Sequence, residues 1–271
     1  MIRRTVLITG ATQGLGRGIA HDLAARGHTV LLHGRDRTRL EEVATELRAT
    51  TRDVEVRTYL ADLSDLRQVH EMASRIREAE PRLDVLVNNA VANGGSQPLR
   101  KRWLSAQGHE LQFAVNHLAA YALARDLLPL LTASAPARIV NVASTGRNPI
   151  DFDDVMLERN YELMPAYRRS KLAMIMATFD LAEELESSRV TVNALIPALG
   201  MGTQVVREAG IPVTTSIDEG VRPTVRLISD PALESTTGRF FDQFTEITAH
   251  EQAYDVEARR RLMELTRELI G

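Results

Sequence analysis

Cysteine is absent from this chain, which excludes disulfides and thiolate metal sites. Lysine is nearly absent. Lys101 and Lys171 are the only two, and the other 31 of the 33 basic residues are arginine, a bias we attribute to codon usage. The basic residues form no block and the net charge is −3, so nothing points to a nucleic-acid surface. The opening residues, Met1 to Gly10, contain no apolar stretch long enough for a signal peptide or a spanning helix. The expected location is therefore the cytoplasm, with no membrane partner. Linkers, low-complexity runs and internal repeats are also missing, so we expect one domain over residues 1–271.

What remains is a soluble globular composition, 44% hydrophobic and 25% charged, long enough for a sizeable core. Short apolar runs, rich in β-branched residues, fall at Thr5–Thr9, Thr29–His33, Val54–Leu60, Val85–Asn88, Arg138–Ala143, Val190–Ile196 and Arg239–Asp242. Helical patterns lie between most of them, at Leu15–Arg26, Arg37–Ala49, Leu66–Ala79, Gly108–Leu131 and Pro165–Ser187. This alternation predicts an α/β fold: a doubly wound Rossmann-type domain, with an about seven-stranded parallel sheet flanked by helices on both faces.

The run from the first strand into Thr9-Gly10-Ala11-Thr12-Gln13-Gly14-Leu15-Gly16 brings glycines to a helix start, where backbone N–H groups can meet a pyrophosphate. The second strand ends in Gly34, where an NAD site usually carries an acid, and Arg35 follows. A guanidinium there suits a 2′-phosphate, so NADP(H) is expected over NAD(H); a plain surface arginine is the alternative. Asp62, after the third strand, can accept from an adenine amino group, or Asp62 or Ser64 can cap the next helix. Asn88-Asn89-Ala90 can tie strands together beside a cofactor. Asn116 is an unfavourable residue in the middle of a helix, where it can bend the helix and hold a water. His117 reads as packing rather than chemistry. Ser144 reaches a strand end, where it can hydrogen-bond a carbonyl; no nucleophile elbow surrounds it.

Tyr167 and Lys171 stand four residues apart in a helical stretch from about Met164 to Ser187. Side chains at i and i+4 share a helix face. A cation beside the phenol is expected to lower its pKa towards working pH, making it a usable general acid or base.

Taken together and in order, these motifs strongly resemble the short-chain dehydrogenase/reductase family over nearly the whole length. The run Phe113-Ala114-Val115-Asn116-His117-Leu118, the run Ala166 to Ala173 and the late Thr237-Gly238-Arg239-Phe240-Phe241 look like its retinol-dehydrogenase-like branch. The resemblance implies Tyr167 as proton donor or acceptor and Lys171 on the nicotinamide ribose. It implies Ser144 on the carbonyl and Asn116 as holder of a relay water. The implied cofactor contacts are Gly10, Thr12, Gln13, Gly14, Leu15, Gly16, Arg35, Asp62, Leu63, Asn89, Ala90, Tyr167, Lys171, Pro197 and Thr203.

One loop departs from the family pattern. In Pro197-Ala198-Leu199-Gly200-Met201-Gly202-Thr203, Ala198 replaces the usual glycine and Thr203 falls about one residue late. Gly200 and Gly202 would permit a mobile lid there. Substrate specificity is expected from residues 91–103, 145–164 and 198–213, which carry Trp103, Phe152, Met156, Leu157, Tyr161, Met164, Leu199, Met201 and Val205. That set suits an apolar small molecule. The acids Asp151, Asp153, Asp154 and Glu158 read as a capped helix start, and no metal-ligand spacing occurs. The expected reaction is reduction of a ketone or aldehyde, or oxidation of a secondary alcohol. Dehydration, epimerisation or non-catalytic NADP sensing are the alternatives, and a homo-oligomer is left open.

Overall fold

The computed structural model describes residues 3–92, 101–203, 206–207 and 210–271. Its strands are β1 (Thr5–Ile8), β2 (Thr29–Gly34), β3 (Val56–Leu60), β4 (Val85–Asn88), β5 (Ala137–Val142), β6 (Val190–Ile196), β7 (Arg239–Asp242) and β8 (Thr245–Glu246). They form one sheet in the order β3-β2-β1-β4-β5-β6-β7-β8. All pairings are parallel except β7 with β8. The sheet therefore has eight strands where about seven were expected. The extra strand is two exposed residues closing a hairpin, too short and too polar to leave a pattern.

Strands β1, β2, β4, β5 and β6 are buried along their whole length, as a sheet covered on both faces requires. Alternate side chains feed two cores. Val6, Ile8, Val30, Leu32, Val85 and Val87 pack under α1 (Gly14–Ala25), α2 (Arg37–Thr50) and α6 (Ile217–Ser229). Leu7, Leu31 and Leu86 face α3 (Leu66–Ala79), α4 (residues 111–133), α5 (Leu163–Glu184) and α7 (Val256–Ile270). Helix α4 is continuous but not uniform: Leu111–Phe113 leads into a π-helical turn at Ala114–Leu118, then α-helix from Ala119 to Ala133.

Chain order reverses direction between β1 and β4, which are neighbours in register at Ile8 and Val87. In open α/β sheets a ligand binds at the carboxyl ends of the strands beside such a switch point. The ends of β1, β4 and β5 carry Thr9, Asn88 and Ser144.

Candidate active site

The glycine-rich turn is built by close contact. Gly10 and Gly14 have φ of +65° and +53°, which favour glycine. Gly16 has an ordinary φ, yet a Cβ on it would lie 2.3 Å from the Gly10 carbonyl oxygen and 2.6 Å from Asn89 Nδ2. Helix α1 thus starts directly against the turn. Thr9 Oγ1 donates to the Val87 carbonyl (3.2 Å) and accepts from the N–H groups of Asn89 (2.9 Å) and Ala90 (3.0 Å). Asn89 Nδ2 donates back to the carbonyls of Thr9 (2.8 Å) and Gly10 (3.2 Å). Sequence reading saw Asn89 but not this reciprocal lock.

His33 was missed altogether. It is buried, its Nδ1 accepts from Gly10 N–H (3.2 Å), and its Nε2 donates to the Ala61 carbonyl (3.1 Å). Burial lowers its pKa to about 4, so the ring is neutral and can hold both bonds. A histidine at a strand end gives no periodic signal that would have revealed this.

On the adenosine side, a Cβ on Gly34 would lie 2.6 Å from Thr12 Cγ2 and 3.3 Å from Leu40. Thr12 therefore fills the space an acidic side chain would need. Arg35 follows and is exposed. Asp62 Oδ1 accepts from Ser64 N–H (2.9 Å) and Oγ (2.8 Å), in a turn of its own. Neither Asp62 nor Ser64 caps α3. That cap is Asp65, which accepts from Arg67 N–H (3.1 Å). Leu15 and Leu63 are buried beneath the same surface, Gln13 exposes its side chain as N-cap of α1, and Ala90 packs against Gly10.

Across the switch point, Ser144 lies beside the Tyr167 phenol and acts to lower its pKa. Lys171, only 2% exposed, donates from Nζ to the Val142 carbonyl (2.7 Å), and Nζ lies 5.9 Å from the Tyr167 ring centre. Burial lowers the Lys171 pKa to about 7. It raises that of Tyr167, with Ser144 acting in the opposite direction. The expected lowering by Lys171 is thus not what this protein surface produces by itself. The ammonium is directed at a backbone carbonyl, and loss of solvation dominates the phenol.

Asn116 lies within the π turn and is fully buried. Its Oδ1 accepts from Ala92 N–H (2.8 Å), and its Nδ2 donates to Gln112 Oε1 (3.0 Å) and Ser170 Oγ (2.9 Å). Ser170 Oγ in turn donates to the Tyr167 carbonyl (2.7 Å). The helix irregularity read from Asn116 is present, and the side chain ties α4 to the turn of α5 that carries Tyr167. Ser170 and Gln112 were not singled out, because neither residue type is unusual in a helix.

The atypical loop after β6 returns to the glycine turn. A Cβ on Gly14 would lie 3.3 Å from Thr203 Cγ2, so Thr203 reaches α1 despite its late position. A Cβ on Gly200 (φ +64°) would lie 2.3 Å from Thr214 Oγ1, so this glycine is required by close approach of residues 212–214. Pro197 and Met201 pack against Gly220 of α6. Leu157 is buried, and Phe152 stacks under Arg261, 4.6 Å away. Trp103 and Leu199 remain exposed. Residues 93–100 and Val205 lie outside the described residues. Asp151 and Asp154 cap backbone turns in a non-helical stretch; α5 begins later, at Leu163.

A fold that offers a dinucleotide turn and, one strand pair away, a buried ammonium beside a phenol is that of a nicotinamide-dependent oxidoreductase. The profile of the family described as short chain dehydrogenase matches residues 4–211, and the chain belongs to that family. Human retinol dehydrogenase 14 is 37% identical over 99% of this chain and 86% of its own length. Human retinol dehydrogenase 13 is 35% identical over 99% and 85%. Among solved structures, the Pseudomonas aeruginosa RhlG/NADP active-site complex matches 88% of this chain and 93% of its own, at 26% identity and a TM-score of 0.70. An oxidoreductase from E. coli, yciK, matches 89% and 95% at 27% identity and the same TM-score. The protein is an NAD(P)-dependent oxidoreductase acting on alcohol or carbonyl groups of a small molecule. Among the described residues no helix is long and apolar enough to cross a membrane.

Proposed function

We propose that the protein is an NADP(H)-dependent reductase of ketones or aldehydes with an apolar body, running in reverse as an alcohol dehydrogenase. The observation that carries this reading is the convergence of Ser144, Tyr167 and Lys171 at the end of β5. The cradle fits a dinucleotide. Gly16 leaves no room for a side chain at the turn, and the buried Lys171 ammonium has only a backbone carbonyl as partner among the described residues. Bound there, a nicotinamide supplies or accepts the hydride.

The chain's own residues handle the proton and the geometry. Ser144 Oγ donates to the carbonyl oxygen and steadies the charge that develops on it. The Tyr167 phenol, kept protonated at neutral pH by its burial, delivers a proton to the same oxygen. Two donors of Lys171 Nζ, beyond the one given to Val142, hold the ribose hydroxyls. Both amide donors of Asn116 are already used, so a relay water held at Asn116 would have to donate to one of its oxygens.

Cofactor choice rests on two neighbours. Thr12 occupies the space of an acid at position 34, and Arg35 is exposed at the strand end, placed for a 2′-phosphate. The NADP in the RhlG complex agrees with this reading. The retinol named in the relatives is a hydrophobic alcohol, and the exposed Leu199, Ile211 and Val213 give this chain an apolar rim beside the site. The test is loss of NADPH absorbance with a panel of apolar aldehydes and ketones. Tyr167→Phe should cut turnover by ~10²–10⁴-fold with NADPH affinity retained. Unchanged turnover in that variant would refute the assignment of Tyr167.

A further inference from the structure

Away from the site, α4 and α5 line a small cavity of about 20 Å³ against the ends of β4 and β5. Its lining includes Asn88, His117, Tyr121, Asn141 and Met174. Three polar atoms in this lining, Asn88 Oδ1, His117 Nδ1 and Tyr121 OH, have no hydrogen-bond partner among the described residues. Their residues are 3%, 1% and 4% exposed. Buried polar atoms of this kind are rarely left unpaired.

The surrounding network fixes what each atom can do. Thr178 Oγ1 donates to the Met174 carbonyl (2.8 Å) and so accepts from Asn141 Nδ2 (2.9 Å). Asn141 Oδ1 must then accept from Asn88 Nδ2 (2.9 Å), which leaves the Asn88 oxygen on the cavity side. Outside the lining, Thr266 Oγ1 of α7 donates to the Leu262 carbonyl (2.7 Å) and accepts from His117 Nε2 (2.7 Å). The proton of His117 is therefore on Nε2, and Nδ1 presents a lone pair. Burial, which lowers the His117 pKa to about 3, keeps the ring in that neutral form. Tyr121, its pKa raised chiefly by burial, is a neutral phenol with a proton to give. The cavity thus offers two acceptors that cannot donate and one hydroxyl that can.

We propose that this cavity is a binding site for a single structural water, which donates to Asn88 Oδ1 and His117 Nδ1 and accepts from Tyr121 OH. The volume admits about one such molecule, and three polar partners are the usual number for a buried water. A metal cation or ammonium is disfavoured, because the lining contains no carboxylate to balance its charge. The water joins the end of β4, whose next residues Asn89 and Ala90 hold the glycine turn, to the π turn that carries Asn116. It therefore braces both halves of the site from behind, without touching substrate or cofactor.

A high-resolution crystal structure tests this. The expected result is one density peak within about 2.6–3.2 Å of all three atoms. No peak, with Tyr121 OH bonded directly to Asn88 or His117, would overturn the proposal. Tyr121→Phe removes the donor and keeps both acceptors. It should keep the fold, with Tm within about 4 °C of the parent, and keep the peak on Asn88 and His117. Loss of the peak in that variant would show that Asn88 and His117 do not hold the water between them, and would overturn their assignment as its acceptors.

Discussion

The two sides of the active site are built by different means. On the cofactor side, the glycine turn is held by side chains that bond to backbone: buried Thr9 and His33 and half-buried Asn89 each hold main-chain groups of neighbouring strand ends. On the far side, where we propose that substrate binds, the side chains stand on loops, with Leu199 52% and Val213 50% exposed. A backbone-held surface binds one ligand shape and tolerates little change. A side-chain wall can be rebuilt residue by residue without moving the chemistry. Substitutions on the cofactor side should therefore harm every substrate alike, whereas those on the far side should sort substrates from one another.

The largest effect should come from Gly16→Ala, whose new methyl group meets the Gly10 carbonyl at 2.3 Å. Backbone cannot yield cheaply there, so α1 must withdraw from the turn. NADPH affinity, measured by fluorescence titration, should fall by ~10²-fold with the circular dichroism spectrum retained. Full affinity in this variant would break the comparison at its firmer end. Next is Arg35→Ala. Loss of one charge-assisted contact should reduce the NADPH-over-NADH ratio of kcat/KM by about 10-fold or more, for all substrates equally. An unchanged ratio would remove the 2′-phosphate role. Leu199→Ser should act only a few-fold, about 2–5-fold on KM, and only for the more apolar substrates. A uniform effect across the panel would mean that the rim is not a selective wall.

A separate effect is one of pH on stability. His33 and His117 titrate near 4 and 3 in the folded chain, below their ordinary value of 6.5. Between pH 6.5 and about 4 the unfolded chain takes up protons that the fold refuses, so stability is fully present above pH 6.5 and is lost as pH falls. Melting temperature should drop across this window. His33→Gln keeps an acceptor and a donor without titrating, and should make the drop shallower. An equally steep drop in that variant would show that His33 does not contribute to it.

Much of this arrangement was legible in the sequence. Strand–helix alternation gave the layers, because a sheet covered on both faces needs continuous apolar strands. The glycine spacing placed the turn, and the four-residue step put Tyr167 and Lys171 on one helix face. The illegible part consists of ties between residues far apart in the chain. Asn116 meets Ser170 across 54 positions and His117 meets Thr266 across 149. Such pairs leave no period and no local composition, only a buried polar residue whose partner is unknown until the chain folds. The direction of the Tyr167 shift was misread for a related reason. Spacing shows which groups are adjacent, but not how much water each has lost.

The π turn at Ala114–Leu118 has one more consequence. It accommodates one residue more than an α-helical turn would, and each helical residue advances the chain by about 100°. The turn therefore acts as a phase shifter between the two ends of α4. Upstream, Gln112 is aimed at Asn116 inside the turn, whose side chain meets the residue that steadies Tyr167; downstream, Tyr121 and Leu127 are aimed at the sheet and its core. Deleting a single residue from 114–118 would leave every downstream contact intact in composition yet rotate the upstream segment away from α5. In this helix, length by one residue sets the direction of the active-site support.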